Sequence, residues 1–500
     1  MADKPANLTK KTLDKDLDKL SFVDDAGKYV RQALVAPGTA LIFLGMAMLF
    51  AGVYVFGRPD AVLIVAAAAV GGYMAMNIGA NDVTNNVGAA VGARAITMRD
   101  ALIMAAIFEI LGATVAGGDV VRTIAAGIVD PATVADGRTF CWIMMAALVA
   151  AALWINLATW LNAPVSTTHS IVGAIIGAGI SAAGVDTVHW AVIAQIIVSW
   201  IVSPLMGGAI AALLLYVVKE TIIYRNDKIA AARFWVPILI AIMAGTFATY
   251  LTLYVSALHG TSGFDNLAIG IVTGLLMWLL ARPLIARQAQ GLENRNGELR
   301  KLFRLPLVFS AALLSFAHGA NDVANAIGPL SAIVHATRTD AVSAPLAVPF
   351  WTVIIGAFGI AIGLLLYGPR LIRLVGEQIT KLNPMRAYCV SLSSALTVIV
   401  ATWLGLPVSS THIAIGAVFG VGFFREWYTR RSARRLALIH RQSGDVEPLD
   451  HNDANSDESS RRRLVRRSHL ISILAAWTIT VPITATLAAI LYWGMFALFL

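Results

Sequence analysis

The sequence predicts an all-α integral membrane protein with about 12 to 13 transmembrane segments, built as two inverted repeats that contain broken or re-entrant helices. Of its 500 residues, 58% are hydrophobic and 13% are charged, whereas charged residues make up about a quarter of a soluble protein. The apolar residues form blocks of roughly 18 to 30, and a helix needs roughly 20 to cross the bilayer core. Two motifs each occur twice, which indicates a duplicated unit.

Thirteen apolar segments account for the predicted helices, because an isolated strand could not satisfy its backbone polar groups in lipid. Four of them carry polar residues in the middle or are short (61–93, 165–182, 305–336 and 408–424), and we expect breaks or re-entrant turns there. The segments lie at 37–57, 61–93, 100–118, 139–161, 165–182, 188–218, 234–256, 264–281, 305–336, 345–367, 387–405, 408–424 and 469–499.

The basic residues predict the orientation in the membrane. With a cytoplasmic N-terminus, every cluster of Lys and Arg next to a span falls on the cytoplasmic side, as the positive-inside rule requires. The net charge of +9 therefore reflects topology, and we expect no nucleic-acid partner. The predicted location is the plasma or inner membrane, with the lipid bilayer as partner; a homodimer is left open.

The chain divides into five parts. These are a polar cytoplasmic tail (1–36), an extra transmembrane helix (37–60), the first repeat (61–218), a linker with two transmembrane helices (219–304), and the second repeat (305–499), which includes a basic cytoplasmic loop (425–467). That loop is either a solvated topological loop or a contact for anionic lipid or a regulator. The two cysteines, Cys141 and Cys389, lie in apolar stretches and indicate neither a disulfide framework nor a thiolate metal site.

The repeats explain why inversion is expected. The stretch Gly79-Ala-Asn-Asp-Val-Thr-Asn85 recurs as Gly319-Ala-Asn-Asp-Val-Ala-Asn325, and Pro164-Val-Ser-Thr-Thr-His169 recurs as Pro407-Val-Ser-Ser-Thr-His412. The first motif falls on the second predicted crossing and its copy on the ninth, so the two copies run in opposite directions. Inverted repeats with polar, glycine-containing segments are typical of secondary transporters whose site lies where the halves meet.

Each copy of the first motif places an acid in an apolar stretch. An ionised Asp82 or Asp322 at the centre of a membrane helix costs about 3 kcal/mol on insertion scales, so a compensating partner is required. The neighbouring asparagines supply the hard oxygen atoms that suit a small cation such as Na⁺; they are Asn81, Asn85, Asn321 and Asn325. The alternative is that these residues cap helix ends near a membrane interface.

The second motif has the composition of a helix start, with proline followed by hydroxyl side chains. A helix N-terminus carries about +0.5 charge and unpaired N–H groups, so it can bind an oxyanion without a basic side chain. We predict that two such starts hold the anion through Ser166, Thr167, Thr168, Ser409, Ser410 and Thr411. Simple helix capping or interhelical packing is the alternative.

Three further polar residues are candidates for coupling. His169 and His412 end the second motif, and each is interpreted as bonding its own helix start or a neighbouring helix, with a proton relay or substrate contact as the alternative. Glu109 is a lone acid in the segment 100–118, and Val353 is predicted to take its place in the second repeat. It serves a coupling ion or proton, or it is a paired residue near the cytoplasmic end.

With these motifs, the chain resembles the inorganic phosphate transporter (PiT) family of cation-coupled symporters, over about residues 61–218 and 305–499. The resemblance implies that Asn81, Asp82, Asn321 and Asp322 bind the driving cations and that the hydroxyls of the second motif cradle phosphate. Glu109, in its Phe-Glu-x-x-Gly setting, also looks like a family position. Thr84 and Asn86 depart from the family, which usually shows Ala there.

The expected function is therefore symport of inorganic phosphate with Na⁺ or H⁺ by alternating access, with no other cofactor and no enzymatic activity. Three rivals remain. The same helix starts would accept another tetrahedral oxyanion such as sulfate. A serine three residues before a histidine would suit a membrane phosphatase, but no basic cluster accompanies it to stabilise a phosphoryl transition state. A passive channel is disfavoured by the paired intramembrane acids.

Overall fold

The computed structural model describes residues 34–161, 163, 165–259, 263–337, 347–378, 382–431 and 467–499. These residues are almost entirely helical, and one isolated β-bridge joins Val129 and Val188 among them. The predictions for the polar tail and for most of the basic loop concern residues 1–33 and 432–466, which lie outside the described residues.

Sixteen helices can be followed in the described chain. They are α1 (Leu34–Val55), α2 (Ala61–Gly92), α3 (Met98–Ala116), α4 (Gly118–Arg122), α5 (Gly137–Trp160), α6 (Thr167–Ala183), α7 (Trp190–Val218), α8 (Lys228–His259), α9 (Gly263–Gln288), α10 (Asn296–Leu302), α11 (Arg304–Asp322), α12 (Ala324–Ala336), α13 (Phe350–Gln378), α14 (Pro384–Trp403), α15 (Ser410–Arg431) and α16 (Arg467–Phe499).

The all-helical membrane architecture is confirmed. Within the described ranges, ten stretches of helix are long and apolar enough to cross a membrane, and α3 with α4 makes an eleventh if this pair, bent by 66°, counts as one span. The remaining two of the thirteen predicted segments are also helices: α6, with 17 residues, and α15. Both start at the second motif, inside the protein.

The expected breaks occur in one copy of the first motif and not in the other. The span from Arg304 to Ala336 is interrupted at Val323, directly after the motif acid, whereas α2 is continuous through its copy. Pro329 lies inside α12, where it lacks an N–H to donate and its ring crowds the carbonyl four residues earlier. The corresponding residue of α2 is Ala89, which can donate its N–H within the helix.

Helices of one half of the sequence pack against helices of the other half. The motif helix α2 packs against α13 of the other half, and α11 packs against α3; likewise α6 packs against α16, and α15 against α7. In the span formed by α11 and α12, 89% of the most apolar stretch is buried. Asp82 and Asp322 are each 1% exposed, so both acid motifs lie deep inside the protein. The opposite membrane direction of the two copies remains a prediction.

Glycine in the first motif is explained by how closely these helices approach. A Cβ built on Gly79 would lie 2.0 Å from the carbonyl oxygen of Ile360 on α13, and one built on Gly319 would lie 2.2 Å from that of Glu109 on α3. Because backbone atoms occupy this space, no side chain fits without moving a helix.

We expect Gly79→Ala to destabilise the protein by about 1–3 kcal/mol, the usual cost of overpacking, because α13 must move away from α2. The measurement is the thermal melting temperature of the purified protein. Gly88→Ala is the matched control, since its Cβ would meet only a side-chain carbon of Thr84, at 3.6 Å. Equal melting temperatures for the two variants would contradict the close approach of α2 and α13.

Candidate functional site

The two motif acids meet at one histidine in the centre of the protein. His318 Nε2 lies 2.9 Å from Oδ2 of Asp322 and 3.7 Å from Oδ2 of Asp82. All three side chains are at most 1% exposed, and one ligand-type atom from each falls within 4.8 Å of the others. The sequence predicts that the acids come together, and the exchanged packing of α2 and α11 brings this about.

The hydroxyls of the two helix starts contact these same acids. Thr167 Oγ1 donates to Asp82 Oδ2 at 3.1 Å, and Thr411 Oγ1 donates to Asp82 Oδ1 at 3.2 Å. On the other side, Ser410 Oγ donates to Asp322 Oδ2 at 3.0 Å. The residues predicted for cation and for anion binding therefore form a single site.

The last asparagine of each acid motif reaches across to the helix start of the opposite half. Asn85 Nδ2 donates to Thr411 Oγ1 at 2.8 Å, and Asn325 Nδ2 donates to Thr168 Oγ1 at 3.2 Å. Because the two bonds join equivalent residues in exchanged halves, the site repeats its own pattern about the interface. Each half thus depends on the other to complete its part of the site.

The first asparagine of each motif is bonded to the helix that precedes the second motif. The side-chain amide of Asn81 lies 3.0 Å from Thr159 Oγ1, and Asn321 Nδ2 donates to Thr402 Oγ1 at 3.0 Å. Asn321 Oδ1 also accepts from the amide of Val408 at 3.2 Å. Asn321 therefore ties the segment before α15 to its acid motif, and Asn81 ties α5 to the other acid motif. Their role as cation ligands remains a prediction.

The helix starts themselves are capped as the sequence predicts. Ser166 Oγ accepts from the amide of His169 at 3.1 Å, and Ser409 Oγ accepts from the amide of His412 at 3.3 Å. Thr168 Oγ1 donates to the carbonyl of Val408 at 2.9 Å, which joins the first turn of α6 to the start of α15. The first N–H groups of both helices therefore emerge in the same buried region.

The two motif histidines lie side by side. Their ring centroids are 4.5 Å apart at an interplanar angle of 88°, and the His169 ring packs on Trp200 with centroids 3.7 Å apart. Trp200 in turn donates from Nε1 to the carbonyl of Pro407 at 3.0 Å. These ring contacts place both histidines against neighbouring helices, while their predicted hydrogen bonding and the alternative role as proton relay or substrate contact remain predictions.

Glu109 joins the site through His318. His318 Nδ1 lies 3.2 Å from Glu109 Oε1, and Asn86 Nδ2 donates to the same oxygen at 2.7 Å. All three side chains are completely buried. Glu109 is thus paired deep in the protein, and its service to a coupling ion or proton remains a prediction.

One sequence-based conclusion needs correction here, and one residue of the site was missed. The Glu109 carbonyl lies against Gly319, and the equivalent contact of Gly79 is with Ile360, so Ile360 and not Val353 is the counterpart of Glu109. More residues separate α12 from α13 than separate α2 from α3, and this shifts the offset between copies. His318 was missed, although a histidine in an apolar segment, next to Gly319 and replaced by Ile78 in the other copy, was a usable signal.

The oxygen atoms of the second acid motif fit a small cation. Asp322 Oδ1 and Asn325 Oδ1 are buried and have no hydrogen-bond partner among the described residues. A buried oxygen left without a donor costs about 1–3 kcal/mol, more for a charged group, and a cation would remove that cost. In the first copy, by contrast, both oxygens of Asp82 accept from hydroxyl groups.

Acids, hydroxyls and two helix starts that meet inside an all-helical membrane protein are typical of transport proteins. The profile of the Phosphate transporter family matches residues 78–488, and the chain belongs to this family.

Individual proteins agree with this assignment. The chain is 44% identical to the "Putative phosphate permease" of Helicobacter pylori strain J99, covering 95% of this chain and 98% of that protein. A protein of Pyrococcus abyssi described as "Putative phosphate permease PYRAB14010" is 35% identical, over 84% of this chain and 94% of the relative. A solved structure described as "The sodium-dependent phosphate transporter" matches with a TM-score of 0.75 and 31% identity, covering 88% of this chain and all of the other.

Proposed function

We propose that this protein is a secondary active transporter that carries inorganic phosphate together with a cation, Na⁺ or H⁺, by alternating access. The observation that carries the proposal is the meeting of two acid motifs and two helix starts in one buried site, joined by the contacts of Asp82 with Thr167 and Thr411. Family membership supports phosphate as the cargo, and the name of the structural neighbour supports Na⁺ as one candidate cation.

The physical reason for coupling is charge. Asp82, Asp322 and Glu109 are buried around a single imidazole, so adding a phosphate anion to the same region is unfavourable unless positive charge arrives first. Cations bound by the motif carboxylates would supply that charge. Phosphate would then be held by the N–H groups and hydroxyls of α6 and α15, as an anion is at any helix N-terminus.

Alternating access follows from the same dependence. In the proposal, the two halves are inverted repeats, and their relative movement exposes the site to one side of the membrane at a time. The hydrogen bonds of Asn85 with Thr411 and of Asn325 with Thr168, which join the two halves, would be remade in each of the two conformations. We place the N-terminus in the cytoplasm and the protein in the plasma or inner membrane, on the positive-inside distribution of Lys and Arg.

The test is uptake of labelled phosphate into proteoliposomes with Na⁺ and pH gradients imposed separately. We expect one of the two gradients to drive phosphate accumulation above the equilibrium level. Collapsing that gradient should abolish the accumulation. Sulfate added in excess over phosphate should compete poorly. Uptake that only equilibrates phosphate, whichever gradient is imposed, would refute symport and support a channel.

A further inference from the structure

Three polar side chains near the site occur in only one of its two related copies. Asn86 and Glu109 from the first half meet His318 from the second half. Their counterparts in the other copy are Ala326, Ile360 and Ile78, which are all buried in the hydrophobic core. The duplicated site is therefore symmetric in its acids, hydroxyls and motif asparagines, and asymmetric in this chain of three residues.

The structure defines the order of contacts among Asn86, Glu109 and His318. Asn86 Nδ2 and His318 Nδ1 both point at the same carboxylate oxygen, Glu109 Oε1, at 2.7 and 3.2 Å. The opposite ring nitrogen of His318 faces the motif acids, 2.9 Å from Asp322 and 3.7 Å from Asp82. The amide of Asn86 thus sets the rotation of the Glu109 carboxylate, and that carboxylate sets the orientation of the imidazole.

We propose that Asn86 is a positioning residue for cation binding: it holds Glu109 and, through Glu109, fixes the His318 ring between the two motif acids. This inference rests on the proposed function and assigns a role to a residue that has no equivalent in the second copy. It is carried by the contacts and not by the charge state of any member.

The consequence is that the two acid motifs are unequal. His318 contacts Asp322 closely and Asp82 only at longer range, and this imbalance persists only while the ring is held. Without Asn86, Glu109 Oε1 loses a donor in a fully buried setting, and the carboxylate becomes free to turn away from His318. The ring then acquires alternative orientations, and part of the cation-binding energy is used to restore the original one.

The test compares Asn86→Ala and Asn86→Leu with wild type. Both remove the donor, and leucine keeps most of the side-chain volume. We expect each to raise the cation concentration for half-maximal uptake about tenfold, the loss of one hydrogen bond to a charged group, with little change in the KM for phosphate at saturating cation. The cation is whichever of Na⁺ and H⁺ drives wild-type uptake.

Asn77→Ala is the matched control. Asn77 is a buried asparagine on the same helix, but it accepts from Asn156 at 3.1 Å and donates to the carbonyl of Tyr73 at 3.0 Å, away from His318. We expect its cation dependence to equal that of wild type. If Asn86→Leu behaves like wild type, Asn86 only fills space and the proposal is overturned.

A double-variant measurement shows whether the effect passes through Glu109. In purified protein, ligand binding raises the melting temperature, so the rise produced by Na⁺ reports binding without requiring transport. In a Glu109→Gln background, adding Asn86→Ala should change this rise by no more than experimental error. A further loss as large as in the wild-type background would overturn the positioning role.

Two failures can be told apart. If neither gradient drives wild-type uptake, the proposed function fails. If wild-type uptake is cation-driven and Asn86→Ala has the same cation dependence, only this inference fails.

Discussion

Replacing Asp322 with Asn is expected to reduce cation-driven phosphate uptake about 100-fold, because removing one member of a buried charged cluster costs about 3 kcal/mol or more. Asp322 accepts from Ser410 and lies 2.9 Å from His318, and its Oδ1 is the buried oxygen best placed for a cation. The measurement is the initial rate of uptake in proteoliposomes at equal amounts of inserted protein. Asp82→Asn should have a comparable effect.

Asp186→Asn is the control for that experiment, since Asp186 is exposed in the short turn that follows α6. We expect it to transport at the wild-type rate. Wild-type uptake by both Asp82→Asn and Asp322→Asn would show that the two acids do not bind the driving cation, whatever their position in the structure.

Replacing His318 with Gln is expected to destabilise the protein by about 3–5 kcal/mol, the usual effect of removing one partner from a buried charge cluster. Three carboxylates then face one another with no cationic side chain between them. The measurement is the melting temperature of purified protein at low ionic strength. High Na⁺ should restore part of the stability, because cations can take the place of the imidazole.

A second substitution distinguishes charge from shape. Glu109→Gln removes one of the three carboxylates at nearly constant volume, so the double variant with His318→Gln should be more stable than His318→Gln alone. Simple additivity of two destabilising effects would mean that His318 contributes by packing and not by its charge.

Much of the site could be predicted from local sequence. Asp82 and Asp322 were recognisable because an acid in an apolar segment needs a partner, and the helix starts were recognisable from proline and hydroxyl residues. The repetition of both motifs placed these residues in one site. Such reasoning uses the cost of burial and the rules of helix capping, which depend on residues close together in the chain.

The contacts of Glu109 could not be predicted in this way. Its partner His318 lies 209 positions away on a helix of the other half, and the unequal loops before α3 and α13 led to Val353 as the wrong counterpart. The significance of Asn86 was also hidden, because its amide acquires a role only when α3 packs beside α2 and α11.

The sequence by itself determined that the chain is a helical membrane protein, that a unit is duplicated, and which acids and helix starts form the site. These conclusions follow from hydropathy and from motifs whose chemistry is local. The tertiary structure alone decided which helices pack across the two halves, that the span of α11 and α12 is interrupted at Val323 while α2 is continuous, and that one imidazole joins three acids in only one of the two related copies of the site. Those features depend on side chains brought together from distant parts of the chain, where packing and buried charge, and not local propensity, determine the contacts.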